Sequence, residues 1–216
     1  MRAFLAWHAE KMAEWRAAYT EVPFGALPGT KLRPPGRREP IAIESPHGPI
    51  RLRGRIDRVD LAADGPGWQV VDYKSGSTPG PKDMKEGTSL QLPIYLWAAR
   101  ELLGPEESRG TARAMFLPIR HPKEACLLTS ATAKDEPSEA FTRALARAAE
   151  YVRRYVDAMR RGLYPVYPRQ GCSGRCDFQE ICRFAEWRIR RKRSLHPIEA
   201  LEPIPDEASD AEEADA

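Results

Sequence analysis

The 216-residue sequence has no run of apolar residues that approaches the roughly 18 needed for a membrane-spanning helix. Charged residues interrupt the first 19 residues, which excludes the apolar centre of a secretory signal peptide. The nucleotide-binding pattern G-x-x-x-x-G-K-[ST] is absent, so the sequence predicts no ATP-driven activity of its own. We therefore expect a soluble, cytoplasmic protein, and any motor would lie elsewhere in the gene or in a partner.

Cysteine is also scarce, because the chain has only four, and this excludes a small fold held together by disulfides. Three of the four (Cys172, Cys176 and Cys182) fall within eleven residues. Clustered cysteines in a chain without a secretion signal more often bind a metal than form disulfides. Hydrophobic residues make up 42% of the sequence, which is enough for a sizeable core.

Basic residues are absent from one part of the chain, since residues 196–216 contain eight acids and no lysine or arginine. The net charge of +3 therefore hides a charge of +11 on residues 1–195, where 34 basic residues face 23 acidic ones. A body this basic suits a polyanionic partner such as nucleic acid, although ordinary surface solubility gives the same balance. The acidic, proline-rich tail is expected to be disordered.

Hydrophobic periodicity and turn residues predict a chain of alternating strands and helices. The predicted elements are an amphipathic helix at 1–19, a loop at 25–40, strands at 41–44, 50–60 and 68–73, a helix at 89–103, strands at 112–119 and 125–130, and a helix at 137–161. The last helix has a buried stripe of Phe141, Leu145, Ala148, Val152, Tyr155 and Met159.

Two carboxylates and a lysine are predicted to converge on one face of the strands at 50–60 and 68–73. Residues two apart in a strand face the same side, so Asp72 and Lys74 point together. A turn at 62–67 would fold Asp57 back near position 71 or 72. Two carboxylates suit Mg²⁺, and a lysine beside them could orient a water and stabilise charge developing on phosphorus. This pattern favours phosphodiester hydrolysis.

An alternative interpretation is that these carboxylates are strand-end charges paired with Arg55, Arg58 or Lys74. Against it, Asp72 follows two apolar residues in a strand expected to be buried, where an unpaired charge is costly. Gln91 and Tyr95 lie four apart on the next helix and share one of its faces. A helix rim with a half-buried tyrosine would explain that pair equally well.

Three segments in order carry a resemblance to a known family. They are Gly54-x-Ile-Asp57-Arg58-x-Asp60, Asp72-Tyr73-Lys74-Ser75-Gly76 and Leu90-Gln91-Leu92-Pro93-Ile94-Tyr95. Together they resemble the RecB-like branch of the PD-(D/E)XK nuclease superfamily, and Glu21-Val22-Pro23-Phe24-Gly25 looks like the strand before the core in AddB-type nuclease domains. The resemblance covers roughly residues 20–195.

The resemblance implies an α/β fold with a restriction-endonuclease-like core, in which helices flank a central mixed sheet. It implies that Asp57, Asp72 and the carbonyl of Tyr73 bind Mg²⁺ or Mn²⁺. Lys74 would be the catalytic lysine, with Gln91 and Tyr95 positioning the water or phosphate. On this basis the chain divides into an N-terminal helix at 1–19, a nuclease-like domain at 20–195 and an acidic tail at 196–216.

The chain departs from this family at two places. Members usually carry a metal-binding histidine well upstream, and His8 lies on the wrong segment, so we do not give it that role. AddB-type nucleases resemble this chain in having three C-terminal cysteines, which join a far-upstream cysteine around a 4Fe-4S cluster. The spacing here has one extra residue, and no cysteine precedes Cys126. A lost N-terminal segment would explain both gaps.

The fourth ligand of the predicted cysteine site is open. Cys126 lies in a probable strand, where a small buried hydrophobe needs no metal. Zinc bound by the three thiolates and another ligand is the closest rival to the iron–sulfur cluster.

A basic run beyond the cysteines is the predicted DNA-binding segment. Its members are Arg188, Arg190, Arg191, Lys192 and Arg193. A solvated helix face would give the same pattern, and phosphate contact would make affinity fall steeply with salt.

We therefore expect a metal-dependent deoxyribonuclease domain that works in DNA repair or recombination with a helicase partner. The alternative is a DNA-binding or scaffolding remnant of such a nuclease that does not cut, stapled by its metal or iron–sulfur site.

Overall fold

The computed structural model describes residues 2–123, 125–131, 134, 136–163, 187, 191 and 202–205. The chain divides into two compact units, residues 1–150 and 151–216. In chain order the elements are α1 (Arg2–Lys11), β1 (Trp15–Phe24), β2 (Ile41–Ile43), β3 (Ile50–Leu52), β4 (Gly54–Ala62), β5 (Gly67–Lys74), α2 (Pro81–Lys85), α3 (Gln91–Glu107), β6 (Thr111–Pro118), β7 (Ala125–Thr129) and α4 (Glu139–Arg160).

Within the described residues, five strands form a mixed sheet in the order β1-β4-β5-β6-β7, and β2 and β3 form a separate hairpin. Strand β5 runs antiparallel to β4 and parallel to β6. Because parallel neighbours need a crossover, the chain leaves β5 and passes through α3 before it enters β6. This arrangement confirms the predicted α/β class with a central mixed sheet flanked by helices.

The alternation of side chains along β5 gives the sheet two different faces. Val70 packs in the main core, which includes Leu92 and Leu96 of α3. Val71 packs instead with Met12, Met115 and Leu117, against which residues of α1 also lie. Successive residues of β5 therefore face α3 and α1 in turn, as the period of two in a strand requires.

A buried ion pair holds the α1 face of the sheet together. Arg58 and Asp60 lie two apart on β4, and their side chains are 5% and 0% exposed. Arg58 Nη2 donates to Asp60 Oδ2 at 2.9 Å, and Gln69 Nε2 donates to the same oxygen at 2.9 Å. Arg58 Nη1 contacts His8 Nε2 at 2.5 Å and donates to the Tyr73 hydroxyl at 3.0 Å. The pair thus connects β4, β5 and α1.

The burial of His8 at this network lowers its pKa, and the neighbouring Arg58 lowers the pKa further while Asp60 opposes the change. The neutral imidazole is therefore the form that suits this position.

The predicted N-terminal helix at 1–19 is wrong in its extent, because α1 ends at Lys11 and β1 begins at Trp15. Tyr19 follows the helical spacing of the sequence, yet it lies on β1 opposite Val59 of β4. Pairing with β4 satisfies the backbone groups of this segment and overrides its local periodicity. The predicted boundaries of the nuclease-like domain stay predictions.

The predicted strand at 50–60 is two strands, because the chain changes sheets at Arg53. Strand β3 pairs with β2, whereas β4 pairs with β1 and β5. The predicted helix at 89–103 continues past Gly104, whose φ of 70° kinks it before Pro105. The predicted loop at 25–40 is confirmed.

The last helix matches its prediction closely, with bounds of Glu139–Arg160. Its predicted stripe is correct at Ala148 and Val152, which are buried, and wrong at Met159, which is 48% exposed. Ala158 is buried instead, one residue earlier. None of the helices in the described part of the chain is long and apolar enough to cross a membrane.

Asp60→Ala should destabilise the protein by about 3–5 kcal/mol, because it leaves Arg58 buried without a counter-charge. Urea unfolding of the variant and the wild type measures this difference. Asp64→Ala, an acid removed from the exposed turn between β4 and β5, is the matched control and should change stability by less than about 0.5 kcal/mol. Equal losses in the two variants would contradict a structural role for the ion pair.

Candidate active site

The pairing of β4 with β5 brings the two predicted carboxylates together. Arg58 lies opposite Val71, and Asp57 and Asp72 are the next residues along each strand. The backbone N–H of Tyr73 donates to Asp57 Oδ2 at 3.1 Å, which ties this carboxylate to β5. Both carboxylates therefore lie where β4 and β5 meet the N-terminus of α3.

Asp72 is buried, with its side chain only 3% exposed, and it is held by two partners. Lys74 Nζ lies 2.7 Å from Oδ2, and Gln91 Nε2 donates to Oδ1 at 2.6 Å. Burial raises the pKa of Asp72, the Lys74 ammonium opposes that rise, and the nearby charge of Asp57 adds to it. A second positive charge near Asp72, in addition to the Lys74 ammonium, would lower the pKa of Asp72 and favour its ionised form.

Gln91 links the strand residues to the helix. Its Nε2 contacts both Asp72 Oδ1 and the Tyr95 hydroxyl, the latter at 3.0 Å, while its Oε1 accepts from Lys74 Nζ at 2.7 Å. Burial raises the pKa of Tyr95, the Gln91 hydrogen bond lowers it, Asp72 and Asp57 raise it, and Arg55 lowers it. The Tyr95 phenol thus stays protonated and can donate.

The ring of Phe116 contacts the side chain of Lys74. Strand β6 is parallel to β5 and places Phe116 beside Asp72, and the Lys74 ammonium lies 4.9 Å from the centre of the Phe116 ring. The contact is a cation–π interaction that favours one position of the ammonium. Nothing in the sequence pattern identified Phe116, because only the parallel pairing of β5 and β6 brings it to the site.

The donor atoms fit a hard divalent cation. Asp72 Oδ2 is buried and receives no hydrogen bond, because the nearby ammonium approaches outside hydrogen-bond geometry. Two carboxylates and a main-chain carbonyl at Tyr73 would leave the rest of an octahedral shell to water or phosphate, as Mg²⁺ prefers. Among the described residues, no three His, Cys, Asp or Glu side chains form a metal-binding group.

Tyr73 itself shows how strand alternation separates the two networks. Its hydroxyl accepts from Arg58, and its ring lies 6.4 Å from that of Phe4 of α1. Its side chain is therefore on the face opposite Asp72, and only its backbone could serve the site. His8 also lies with Arg58 on the α1 face, which agrees with leaving it out of the metal site.

Most of the remaining predicted site residues lie outside the residues that the structure describes. Cys126 lies on β7. Cys172, Cys176 and Cys182 lie outside the described residues, as do four members of the basic run, Arg188, Arg190, Lys192 and Arg193. Arg191 is described, as an exposed helical residue.

Sequence reasoning missed Arg55 as a residue of the site. It lies two residues before Asp57 on β4 and acts electrostatically on Tyr95. The spacing of two was visible in the sequence, but Arg55 was interpreted there only as a possible ion-pair partner of the carboxylates. Its partner in the structure is Glu21, at 2.9 Å.

The sequence profile of the PD-(D/E)XK nuclease superfamily matches residues 1–183. The chain belongs to this superfamily. The match contains every residue of the carboxylate–lysine site and also the three cysteines of the C-terminal cluster. It confirms the resemblance to this superfamily that the three sequence segments carried.

Similar curated proteins share one name, which describes the second subunit of an ATP-dependent helicase/deoxyribonuclease. The protein from Symbiobacterium thermophilum is 38% identical in an alignment of 121 positions that covers 51% of this chain and 10% of that protein. The protein from Lachnoclostridium phytofermentans is 53% identical over 57 residues, 25% of this chain and 5% of that protein. The protein from Alkaliphilus metalliredigens is 44% identical over 75 residues, 32% of this chain and 6% of that protein. The matches thus span a tenth or less of each relative.

Lys74→Met should make stability depend more strongly on pH. Without the ammonium, the pKa of Asp72 rises further above its unfolded value, so the folded protein retains a proton that the unfolded chain has lost. The free energy of unfolding of the variant therefore falls as pH rises through this range. We expect a loss of about 3 kcal/mol relative to wild type near pH 8 and a smaller loss near pH 5.

Urea unfolding in metal-free buffer at both pH values tests this expectation. The control is Lys82→Met on α2, which removes a lysine that is 83% exposed and 3.6 Å from Glu86. It should have little effect at either pH. A Lys74→Met loss that does not vary with pH would show that the ammonium does not stabilise an ionised Asp72.

Proposed function

We propose that this chain is a divalent-metal-dependent deoxyribonuclease that hydrolyses phosphodiester bonds in DNA repair or recombination, together with a helicase partner. The observation that carries the proposal is the cluster of Asp57, Asp72, Lys74 and Gln91 within one hydrogen-bonded network. In a member of a nuclease superfamily, this cluster supplies the groups that phosphodiester hydrolysis needs.

Asp57, Asp72 and the Tyr73 carbonyl would hold Mg²⁺ or Mn²⁺. When bound, such an ion neutralises phosphate charge and lowers the pKa of a coordinated water. Asp72 Oδ2 receives no hydrogen bond, which leaves it able to accept a metal ion as a further partner beside Lys74. Both oxygens of Asp72 then have a role, since Oδ1 accepts from Gln91.

Lys74 supplies a positive hydrogen-bond donor beside the carboxylates. Its ammonium can hold the attacking water and then stabilise the added negative charge on the phosphate oxygens. Gln91 and Phe116 limit the positions of the ammonium. As the water oxygen bonds to phosphorus it releases a proton to solvent, the bond to the leaving sugar oxygen breaks, and that oxygen takes up a proton from solvent.

Tyr95 completes the polar wall on the α3 side. Its hydroxyl is bonded to Gln91 and stays protonated, so it can donate to a phosphate oxygen without adding negative charge. We assign it a positioning role, because the structure gives it no contact with either carboxylate.

The DNA substrate and the helicase partner are inferred from the relatives' names, which combine helicase and deoxyribonuclease. The absence of a phosphate-binding loop from this sequence agrees with a motor that lies outside residues 1–216. The basic run at positions 188, 190, 191, 192 and 193 is proposed as a further DNA contact.

Wild-type protein should cleave labelled linear DNA with Mg²⁺ or Mn²⁺ and not with EDTA. Asp72→Asn and Lys74→Ala should each lower the rate by about 10²–10³, because they remove a metal ligand and a charge-stabilising donor. Product formation on denaturing gels measures the rates, and circular dichroism establishes that each variant is folded under assay conditions.

Lys82→Ala, an exposed lysine of α2, is the control and should cleave at the wild-type rate. Cleavage by Asp72→Asn and Lys74→Ala at that same rate would contradict the assignment of these residues to the active site. Wild type that binds DNA but cuts with neither metal would establish the alternative, a binding remnant. One observation favours that alternative, since no third metal-binding side chain completes the site within the described residues.

We also propose that Cys172, Cys176 and Cys182 bind a 4Fe-4S cluster. Three thiolates within eleven residues suit such a cluster. Protein purified without oxygen should show visible iron–sulfur absorbance and bound iron and sulfide, which Cys176→Ser should remove. Cys126→Ser should leave the absorbance unchanged unless Cys126 is the fourth ligand. Stoichiometric zinc without iron would overturn the cluster in favour of a zinc site.

A further inference from the structure

An exposed ion pair lies beside the candidate active site. Arg55 Nε is 2.9 Å from Glu21 Oε2, and the two side chains are 65% and 61% exposed. A pair this exposed adds little to folding stability, because solvent screens it. Its place next to the carboxylates therefore calls for a functional explanation.

Glu21 has an unusual backbone for its position. Within the described residues it is the one non-glycine residue with a positive φ, at 52°. Its neighbours on β1, Thr20 and Val22, lie opposite Arg58 and Ile56, so Glu21 is at the level of Asp57. Non-glycine residues in this conformation concentrate at functional sites.

Arg55 lies on the same strand as Asp57 and two residues before it. Its partner Glu21 is level with Asp57 on the neighbouring β1, so the ion pair lies beside the Asp57 end of the site. The effect of Arg55 on the Tyr95 phenol is consistent with this position. A phosphate next to the one held at the carboxylates would therefore come within reach of the guanidinium.

Two more arginines continue from Arg55 away from the carboxylates. Arg51 and Arg53 are exposed and form no ion pair with any residue that the structure describes. Arg51 lies on β3, Arg53 lies where the chain passes between sheets and Arg55 lies on β4; we term these three exposed residues the arginine strip (Arg51, Arg53 and Arg55). A strip of this kind matches the repeated charges of a nucleic-acid backbone.

We propose that the arginine strip binds the phosphates of the DNA strand next to the scissile bond and that Glu21 acts as a charge gate on it. In the free protein Glu21 holds Arg55, and an arriving phosphate replaces the carboxylate. The inference rests on the proposed function, since it names how that site holds its substrate.

The exchange is favourable on chemical grounds. Guanidinium binds phosphate in the same two-pronged geometry as carboxylate, so a phosphate can replace Glu21 as the charge partner of Arg55. Because the pair is exposed, separating it costs little. Glu21 would thus keep Arg55 oriented without preventing the DNA strand from binding. Removal of the Glu21 carboxylate would leave Arg55 fully available to DNA.

The test measures affinity for a fluorescein-labelled DNA strand by anisotropy, in EDTA so that no cleavage occurs, between about 50 and 200 mM salt. Arg55→Ala should weaken binding about tenfold and lower the salt slope by about one. Glu21→Gln should strengthen binding by up to about fivefold. In the double variant this gain should vanish, because Glu21 acts through Arg55.

Arg109→Ala is the matched control. Arg109 is 66% exposed and pairs with Glu106 at 2.7 Å, much as Arg55 pairs with Glu21. It follows α3, at the end of the helix away from Gln91, and should bind DNA as wild type does.

The outcomes separate this inference from the proposed function. Wild-type affinity in Arg55→Ala, with metal-dependent cleavage intact, overturns the strip and leaves the nuclease standing. Weaker DNA binding by Glu21→Gln overturns the gate. That result is expected if the ion pair only supports the structure, since removing either partner would then lower the affinity. A gain that persists in the double variant also overturns the gate. The expected affinities in a protein that never cleaves would support the strip while the nuclease proposal fails.

Discussion

The antiparallel pairing of β4 with β5 is the interaction on which the rest of the site depends. With Arg58 opposite Val71, Asp57 comes next to Asp72, and the Tyr73 N–H fixes the Asp57 carboxylate. A shift of one residue would send one carboxylate to the α1 face, because strand residues alternate. The buried pair of Arg58 and Asp60 opposes such a shift, since its hydrogen bonds with Tyr73 and Gln69 of β5 form only in this register.

The sheet therefore carries a polar network on each face, with different physical roles. On the α1 face, both oxygens of the Asp60 carboxylate accept hydrogen bonds from Arg58 or Gln69. On the α3 face, Asp72 Oδ2 is buried without a hydrogen bond, and the Lys74 ammonium 2.7 Å away is its charge partner. A carboxylate whose oxygens are all hydrogen-bonded stabilises a fold, whereas a buried oxygen without a hydrogen bond is costly unless a ligand completes it.

Much of the fold was predictable from local patterns, and the failures share one cause. The helices at 89–103 and 137–161, the loop at 25–40 and the strand at 68–73 follow from periodicity and turn residues. The predictions failed at Tyr19 and Arg53 because strand pairing sets the conformation there. Tyr19 lies on a strand that pairs with β4, and the chain changes sheets at Arg53. Partners distant in sequence leave no local signal.

By itself, the sequence determined which chemical groups the site has. The order and spacing of Asp57, Asp72, Lys74, Gln91 and Tyr95 follow from strand and helix periods, which need no tertiary information. Only the tertiary structure decided what surrounds them. Phe116 meets Lys74 through parallel pairing, and Arg55 meets Glu21 across β1 and β4. Such contacts depend on register between strands far apart in the chain, and register is a property of the whole sheet.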